Sequence, residues 1–134
     1  MVVIIVPVFK RFEVSRMFFD CLTGLEEVEV IVVDDGNQTE YKNYCIENGF
    51  IHLAGTGELY WGGMINLGLE YVRRKSLKKY SRIVFANDDI IISESAFDKL
   101  MAREEDIVHP VVLNSKDVAV ESGARLFSRY LFFT

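Results

Sequence analysis

The chain has 134 residues, of which 50% are hydrophobic and 26% are charged, and its 20 acidic and 15 basic residues give a formal net charge of -5 at pH 7. This composition excludes a disordered chain, because disorder combines low hydrophobicity with high net charge, and the length suits one domain with one core. The negative charge argues against general electrostatic binding to nucleic acid or to an anionic membrane surface.

Four helices and five strands are predicted along the chain. The strands are short, β-branched and almost continuously apolar, which is typical of parallel strands buried on both faces. The helices follow from apolar stripes at helical spacing and from stop signals such as Asn48-Gly49. In chain order the elements are a strand over Val2–Val8, a helix over 14–25, a strand over 28–33, a helix over 41–47, a strand over 50–53, a helix over 64–72, a strand over 83–86, a helix from Ser93 to Met101 and a strand over 107–113.

This alternation predicts an α/β fold, a three-layer α/β/α arrangement with a mostly parallel, doubly wound sheet and right-handed crossovers. We expect residues 1–134 to form a single domain. The apolar run 126–133 near its end predicts either an edge element or a homodimer contact. A monomer in light scattering would refute the dimer.

Cysteine content and the first residues bear on the compartment. Cys21 and Cys45 both fall in predicted helices, and the sequence has no CxxC motif or Cys/His cluster, so neither a disulfide scaffold nor a zinc site is predicted. The opening residues lack the basic leader of a signal peptide, and no run reaches the roughly 18 apolar residues of a membrane span. We therefore expect a cytoplasmic protein, either free or peripheral to the inner face of the membrane.

Polar residues follow three of the predicted strands, at 7–11, 34–37 and 87–89. In open parallel sheets, ligands bind beyond the carboxyl ends of the strands, so these segments mark the candidate site. If the first strand lies between the second and the fourth, the acidic groups of 34–37 and 87–89 converge, and facing carboxylates need a cation, a proton or donors between them. Carboxylate and amide oxygens suit Mg²⁺ or Mn²⁺. Each segment is also an ordinary turn sequence, so either interpretation stays open for the motif alone.

The segment 55–63 is rich in glycine and leads into the third helix, but it matches neither the dinucleotide motif nor the phosphate-loop motif. Trp61 in this segment suits stacking on a base or sugar, and it equally suits simple packing. His52 and His109 lie in apolar strand contexts, where structural histidines are expected.

Four blocks of the sequence together resemble the nucleotide-binding half of family 2 glycosyltransferases, which have the GT-A fold. They occur in the order and spacing of that family and cover most of residues 2–115. The blocks are Val3-Ile4-Ile5-Val6-Pro7-Val8-Phe9, Val30-Ile31-Val32-Val33-Asp34-Asp35-Gly36, Trp61-Gly62-Gly63-Met64-Ile65-Asn66-Leu67-Gly68 and Phe85-Ala86-Asn87-Asp88-Asp89.

The resemblance implies a UDP- or dTDP-sugar donor, an inverting transfer to a hydroxyl of a carbohydrate or lipid-linked acceptor, and a divalent metal. Asn87-Asp88-Asp89 is similar to the family's DxD motif, with Asn87 in its first position. By the same resemblance Asp88 faces the ribose or sugar, and Asp89 binds the Mg²⁺ or Mn²⁺ that bridges the diphosphate. Pro7 and Asp35 are implied to line the base pocket, with Asp35 accepting from a pyrimidine ring N–H, and Trp61, Gly62 and Asn66 to border the ribose and sugar. Val8 and Asp34 are further implied nucleotide-sugar-binding residues.

The resemblance leaves the catalytic base unassigned. Enzymes of this family are usually longer and carry the base in an acceptor-binding second half, so we expect this chain to lack that half. A nucleotide-sugar-binding module without catalysis is therefore the alternative function. A receiver-type signalling domain is a third interpretation, because Asp34-Asp35 resembles its acidic pair, but here the pair follows the second predicted strand instead of the first.

Overall fold

The structure, a computed structural model, describes residues 1–121, so the apolar run 126–133 lies outside the described residues. The described residues divide into two compact units, residues 1–94 and the residues from 95 onward. The elements of the first unit are β1 (Val2–Val8), α1 (Phe12–Leu22), β2 (Val28–Asp34), α2 (Thr39–Asn48), β3 (Ile51–Ala54), α3 (Tyr60–Lys75) and β4 (Arg82–Phe85). A 3-10 turn at Leu77–Lys79 precedes β4. The second unit contains most of α4 (Glu94–Met101) and the strands β5 (Val112–Leu113) and β6 (Ala119–Glu121).

Four parallel strands form the sheet of the first unit, in the order β3-β2-β1-β4. Val2 pairs with Val28 on one side and with Arg82 on the other, so β1 lies between β2 and β4. This parallel α/β sheet with flanking helices confirms the predicted fold class and is compatible with the three-layer arrangement.

The central strands β1 and β2 are buried on both faces, which explains their unbroken apolar runs. On one face, strand residues such as Ile5 and Val33 pack with Met64, Ile65 and Val72 of α3. Because successive strand side chains point to opposite faces, the buried Ile4 and Val32 lie on the other face. The buried residues of α1 and α2 are Ser15, Phe18, Phe19, Leu22, Tyr41 and Cys45.

Two glycines explain how the first unit packs and ends its helices. Gly49 caps α2 in the left-handed conformation with φ 71°, which confirms the stop signal predicted at this position. Gly68 lets α3 approach the sheet closely, because a Cβ there would stand 2.6 Å from Cγ2 of Ile5.

In the second unit, the strand predicted over 107–113 is wrong in length and in partner. Only Val112 and Leu113 are extended, and they pair antiparallel with β6 as a two-stranded sheet. Ile107 is 84% exposed, and Pro110 has no N–H for a strand ladder. A tight turn joins the two strands, with Asn114 Oδ1 accepting from the backbone N–H groups of Lys116 and Val118.

Within residues 1–121, no helix has both the length and the apolar character needed to cross a membrane.

Candidate functional site

The order of the strands reverses between β1 and β4, because the chain runs outward from β1 to β3 and then returns through α3 to the other side of β1. Such a switch point is where open parallel sheets bind ligands. A cavity of about 260 Å³ lies there, lined by Pro7, Val8, Phe9, Arg11, Trp61, Met64, Asn87, Asp88 and Asp89.

Asp88 is buried at this cavity with both carboxylate oxygens engaged. Its Oδ1 accepts from Nη2 of Arg11 at 2.7 Å, and its Oδ2 accepts from the Ser15 hydroxyl at 2.5 Å. The Ser15 hydroxyl also lies 2.7 Å from the Tyr41 hydroxyl, and burial raises the pKa of Tyr41, so this phenol stays neutral at physiological pH. The network fixes the Asp88 carboxylate against α1 and α2.

Asp34 is fully buried at the end of β2, and its partners are internal. The backbone N–H groups of Gly36 and Gln38 donate to its two oxygens at 3.0 and 2.8 Å, and Nε2 of His52 lies 3.3 Å from Oδ2. This geometry closes the turn from β2 into α2. His52 thus contacts a buried carboxylate, which fits the structural role predicted for it.

Asp35 organises the loop that leads into α3. Its two oxygens accept from the backbone N–H groups of Gly57 and Leu59 at 2.7 and 2.8 Å. Position 55 needs glycine, because a Cβ there would lie 2.2 Å from Oδ1 of Asp35. The carboxylate therefore sets the start of α3, where Trp61 lies.

Asp89 and Asn87 are exposed, unlike their neighbour Asp88. The Asp89 side chain is 49% exposed, and its nearest cationic partner is Nη1 of Arg11 at 3.7 Å. Asn87 Oδ1 accepts from the indole Nε1–H of Trp61 at 3.1 Å, which orients a ring that is 52% exposed at the cavity. Asp89 thus keeps carboxylate oxygens available to a ligand, and Asn87 positions the tryptophan.

Asp89 is the carboxylate lining this cavity that stays accessible to a divalent metal. Among the described residues, no group of three or more His, Cys, Asp and Glu side chains converges as a metal cage. Mg²⁺ nevertheless binds in many proteins through one or two carboxylates and completes its shell with water and substrate phosphate. The half-exposed carboxylate of Asp89 has this character, whereas Asp88 already has a guanidinium and a hydroxyl as partners.

The structure brings six of the predicted site residues together around the cavity: Pro7, Val8, Trp61, Asn87, Asp88 and Asp89. Asp34, Asp35, Gly62 and Asn66 are not among the lining residues, and the two aspartates act on neighbouring backbone instead. Arg11, Phe9 and Met64 line the cavity without a predicted role. The signal for Arg11 was its place directly after the first strand, at the edge where ligands bind.

Backbone strain accompanies this edge of the sheet. Three residues other than glycine have positive φ in segments next to the carboxyl ends of the strands: Lys10 at 54°, Asn37 at 51° and Tyr60 at 52°. Such conformations cost roughly 1–3 kcal/mol each and cluster at binding sites. Three further non-glycine residues with positive φ lie before β2, before β4 and in the second unit, so strain alone does not single out this edge.

No protein-family model matches the chain, and no curated protein matches it either. The resemblance to family 2 glycosyltransferases therefore rests on the four sequence blocks alone, and the activity that it implies is a proposal.

Proposed function

We propose that this protein binds a nucleotide-diphospho-sugar with a divalent metal, as the donor-binding part of an inverting glycosyltransferase. The observation that carries the proposal is the cavity at the switch point, where the ends of β1 and β4 and the start of α3 meet. Three of the four sequence blocks that resemble family 2 glycosyltransferases contribute residues to it.

The shape and lining of the cavity suit part of such a donor. Pro7, Val8, Phe9 and Met64 give apolar walls, and the oriented indole of Trp61 offers a flat surface for a base or sugar ring. A volume of about 260 Å³ is below the roughly 300–1,000 Å³ of most ligand pockets, so the cavity suits the diphosphate and one ring.

Charge balance supports a metal requirement. The lining residues include two carboxylates, Asp88 and Asp89, and one guanidinium, that of Arg11, so their formal charges sum to -1. This negative charge would repel a diphosphate, whereas a divalent cation bound at Asp89 would make the net charge of the cavity lining positive. The bound metal would neutralise the charge that develops on the leaving diphosphate.

In this proposal, three aspartates bind the metal, contact the ribose or sugar, and position the loop before α3. Asp89 would hold the metal. Asp88 would contact the ribose or sugar in a fixed position, because Arg11 and Ser15 bind its two oxygens. Asp35 would act indirectly, because its oxygens hold the loop that places Trp61. Pre-organised positions of this kind lower the cost of ordering a ligand.

Binding without transfer is the second candidate function, and one observation favours it. Of the carboxylates that line the cavity within residues 1–121, Asp88 has internal partners and Asp89 is the proposed metal ligand. Neither is left as a general base for an acceptor hydroxyl.

Calorimetric titration of UDP and of dTDP, with and without Mn²⁺, tests the binding function. We expect micromolar binding of at least one nucleotide that depends on Mn²⁺. A folded protein that binds neither nucleotide would refute the proposal, and equal affinity without Mn²⁺ would refute the metal requirement. Release of UDP from a UDP-sugar then separates the two functions, because a binding module holds the donor without hydrolysing or transferring it.

Asp89→Asn should abolish the Mn²⁺-dependent part of nucleotide binding, because it removes the carboxylate charge that holds the metal. Its unfolding midpoint should stay close to that of the wild type, since the side chain is half exposed. Glu26→Gln is the matched control, because it makes the same charge change at an exposed position before β2. Unchanged nucleotide affinity in Asp89→Asn would contradict the assignment.

A further inference from the structure

Arg11 is held in place by its own backbone at the start of α1. Its carbonyl accepts from the N–H groups of Val14 and Ser15, both at 3.0 Å, and its N–H donates to the Tyr41 hydroxyl at 3.3 Å. The guanidinium therefore extends from a fixed base toward the cavity.

The two carboxylates beside this guanidinium hold it unequally. Nη2 donates to the buried Asp88 at 2.7 Å, whereas Nη1 lies 3.7 Å from Asp89, beyond hydrogen-bond distance. The Arg11 side chain is 53% exposed. A guanidinium has five N–H donors, so donors remain for an anion in the cavity.

A divalent metal at Asp89 would compete with Arg11 for the charge of that carboxylate. A cation bound to this carboxylate would stand close to the guanidinium, and their like charges would weaken metal binding in the absence of an anion. A diphosphate removes the conflict, because its oxygens can bind the metal and also accept two parallel N–H bonds from the planar guanidinium.

We propose that Arg11 is a diphosphate-binding residue that couples the two ligands: it opposes the metal at Asp89 in the free protein and donates to the diphosphate in the complex. This inference rests on the proposed function and deepens it. Metal and diphosphate then bind cooperatively, and each raises the affinity for the other by the same factor, as linkage requires.

The test uses Mn²⁺ alone and pyrophosphate with Mn²⁺, titrated into the wild type, Arg11→Gln and Arg11→Lys. Pyrophosphate is the probe because it contains the diphosphate without base or sugar. In Arg11→Gln we expect tighter binding of Mn²⁺ alone and a loss of about tenfold or more in pyrophosphate affinity, the usual effect of removing a charge-assisted hydrogen bond. Arg16→Gln is the control, since Arg16 is an exposed arginine of α1 and does not line the cavity.

Arg11→Lys keeps the test decisive if Arg11→Gln fails to fold with Asp88 left unpaired. Lysine preserves the positive charge but lacks the planar pair of N–H donors of a guanidinium, so we expect binding of Mn²⁺ alone to match the wild type and pyrophosphate affinity to fall below that of the wild type. Thermal unfolding of each variant establishes that it is folded.

The outcomes separate this inference from the proposed function. Wild-type affinity for pyrophosphate in both folded Arg11 variants would overturn the role of Arg11, even if the wild type binds UDP. Arg11-dependent binding of pyrophosphate without binding of UDP or dTDP would support Arg11 and overturn the nucleotide-sugar proposal. A wild type that binds no pyrophosphate with Mn²⁺ would overturn the inference.

Discussion

The four aspartates at the carboxyl edge of the sheet differ in burial, and burial separates their roles. Asp34, Asp35 and Asp88 are buried, and each has donors on both oxygens because an unpaired buried carboxylate is costly. Asp89 is half exposed, and its nearest cationic partner among the described residues is the Arg11 guanidinium at 3.7 Å. The exposed member is therefore the carboxylate with capacity for a ligand.

Asp88→Asn should destabilise the protein by about 1–3 kcal/mol, because it weakens the bonds from Arg11 and Ser15 and leaves polar groups poorly paired. Urea unfolding of this variant beside Asp89→Asn measures the effect, and Asp89→Asn should stay within about 0.5 kcal/mol of the wild type. Equal unfolding free energies for the two variants would show that the buried network contributes little.

The sequence placed these carboxylates at one edge but did not show which of them face inward. The donors that settle their roles come from distant positions: Leu59 for Asp35, and Arg11 and Ser15 for Asp88. A residue pattern along one strand carries no information on such partners. Carboxylate type and position were predictable, and the network around Asp88 was not.

At the scale of single elements, continuous apolar runs predicted the bounds of the strands well where the fold buries both faces of the strand. The bounds of β1 were predicted without error, and those of β2, β3 and β4 within one residue at each end. The run 107–113 is also apolar, but it lies in the second unit, and only its last two residues pair, as part of a hairpin. Composition predicts that a segment tends to form a strand, whereas the length of the strand depends on which neighbouring strand it can pair with.

Gly68→Ala should destabilise the fold, because the new methyl group would meet Cγ2 of Ile5 at 2.6 Å in the fully buried central strand. The gain in helix propensity is about 1 kcal/mol, and overpacking costs about 1–3 kcal/mol, so we expect a net loss. Gly62→Ala in the same helix is the control, since nothing lies within 4 Å of its added Cβ. Chemical unfolding should rank Gly62→Ala above Gly68→Ala, and the reverse order would contradict the tight contact between α3 and the sheet.

Glu29 ties β2 to the turn before β4 and should make stability depend on pH. Partial burial alone would raise its pKa, but hydrogen bonds from Lys79 and Tyr80 and the charges of Lys79 and Lys75 outweigh burial, so the pKa falls below its ordinary value of 4.5. Because the folded pKa is lowered, the stabilisation is present above the unfolded pKa and is lost as pH falls through the folded pKa.

We therefore expect Glu29→Gln to be less stable than the wild type at neutral pH, with the difference shrinking toward about pH 3. Urea unfolding at several pH values measures this difference, with Glu26→Gln as the exposed control. A constant difference across the range would mean that the ionised form of Glu29 does not stabilise the fold.

For the whole molecule, the sequence left the order of the strands open and stated only the condition under which the two acidic segments converge. The structure meets that condition, because β1 lies between β2 and β4. The division into units after residue 94 had no signal in composition, because no linker-like stretch marks it. Local hydrophobic patterns indicate which residues are buried. The boundary between the two units, in contrast, depends on contacts between residues that are distant in the sequence.

Val32→Asp should unfold the first unit, because Val32 is fully buried in a central strand and the new carboxylate would have no partner there. An unpaired buried charge costs several kcal/mol, a large part of the 5–15 kcal/mol typical of domains. Circular dichroism should show loss of cooperative unfolding, whereas Val118→Asp, at an exposed position, should keep it. A cooperative transition in Val32→Asp would contradict the two-sided burial of the sheet.

The central place of β1 also affects folding during synthesis. β1 is translated before its two neighbours, and it pairs with β2 at Val28 long before its other edge can pair with β4 at Arg82. At roughly 5–20 residues per second, the nascent chain exposes this edge on the ribosome for several seconds. A strand as apolar as β1 is prone to pair with other chains in that interval, so the nascent protein should depend on chaperones more than its small size suggests.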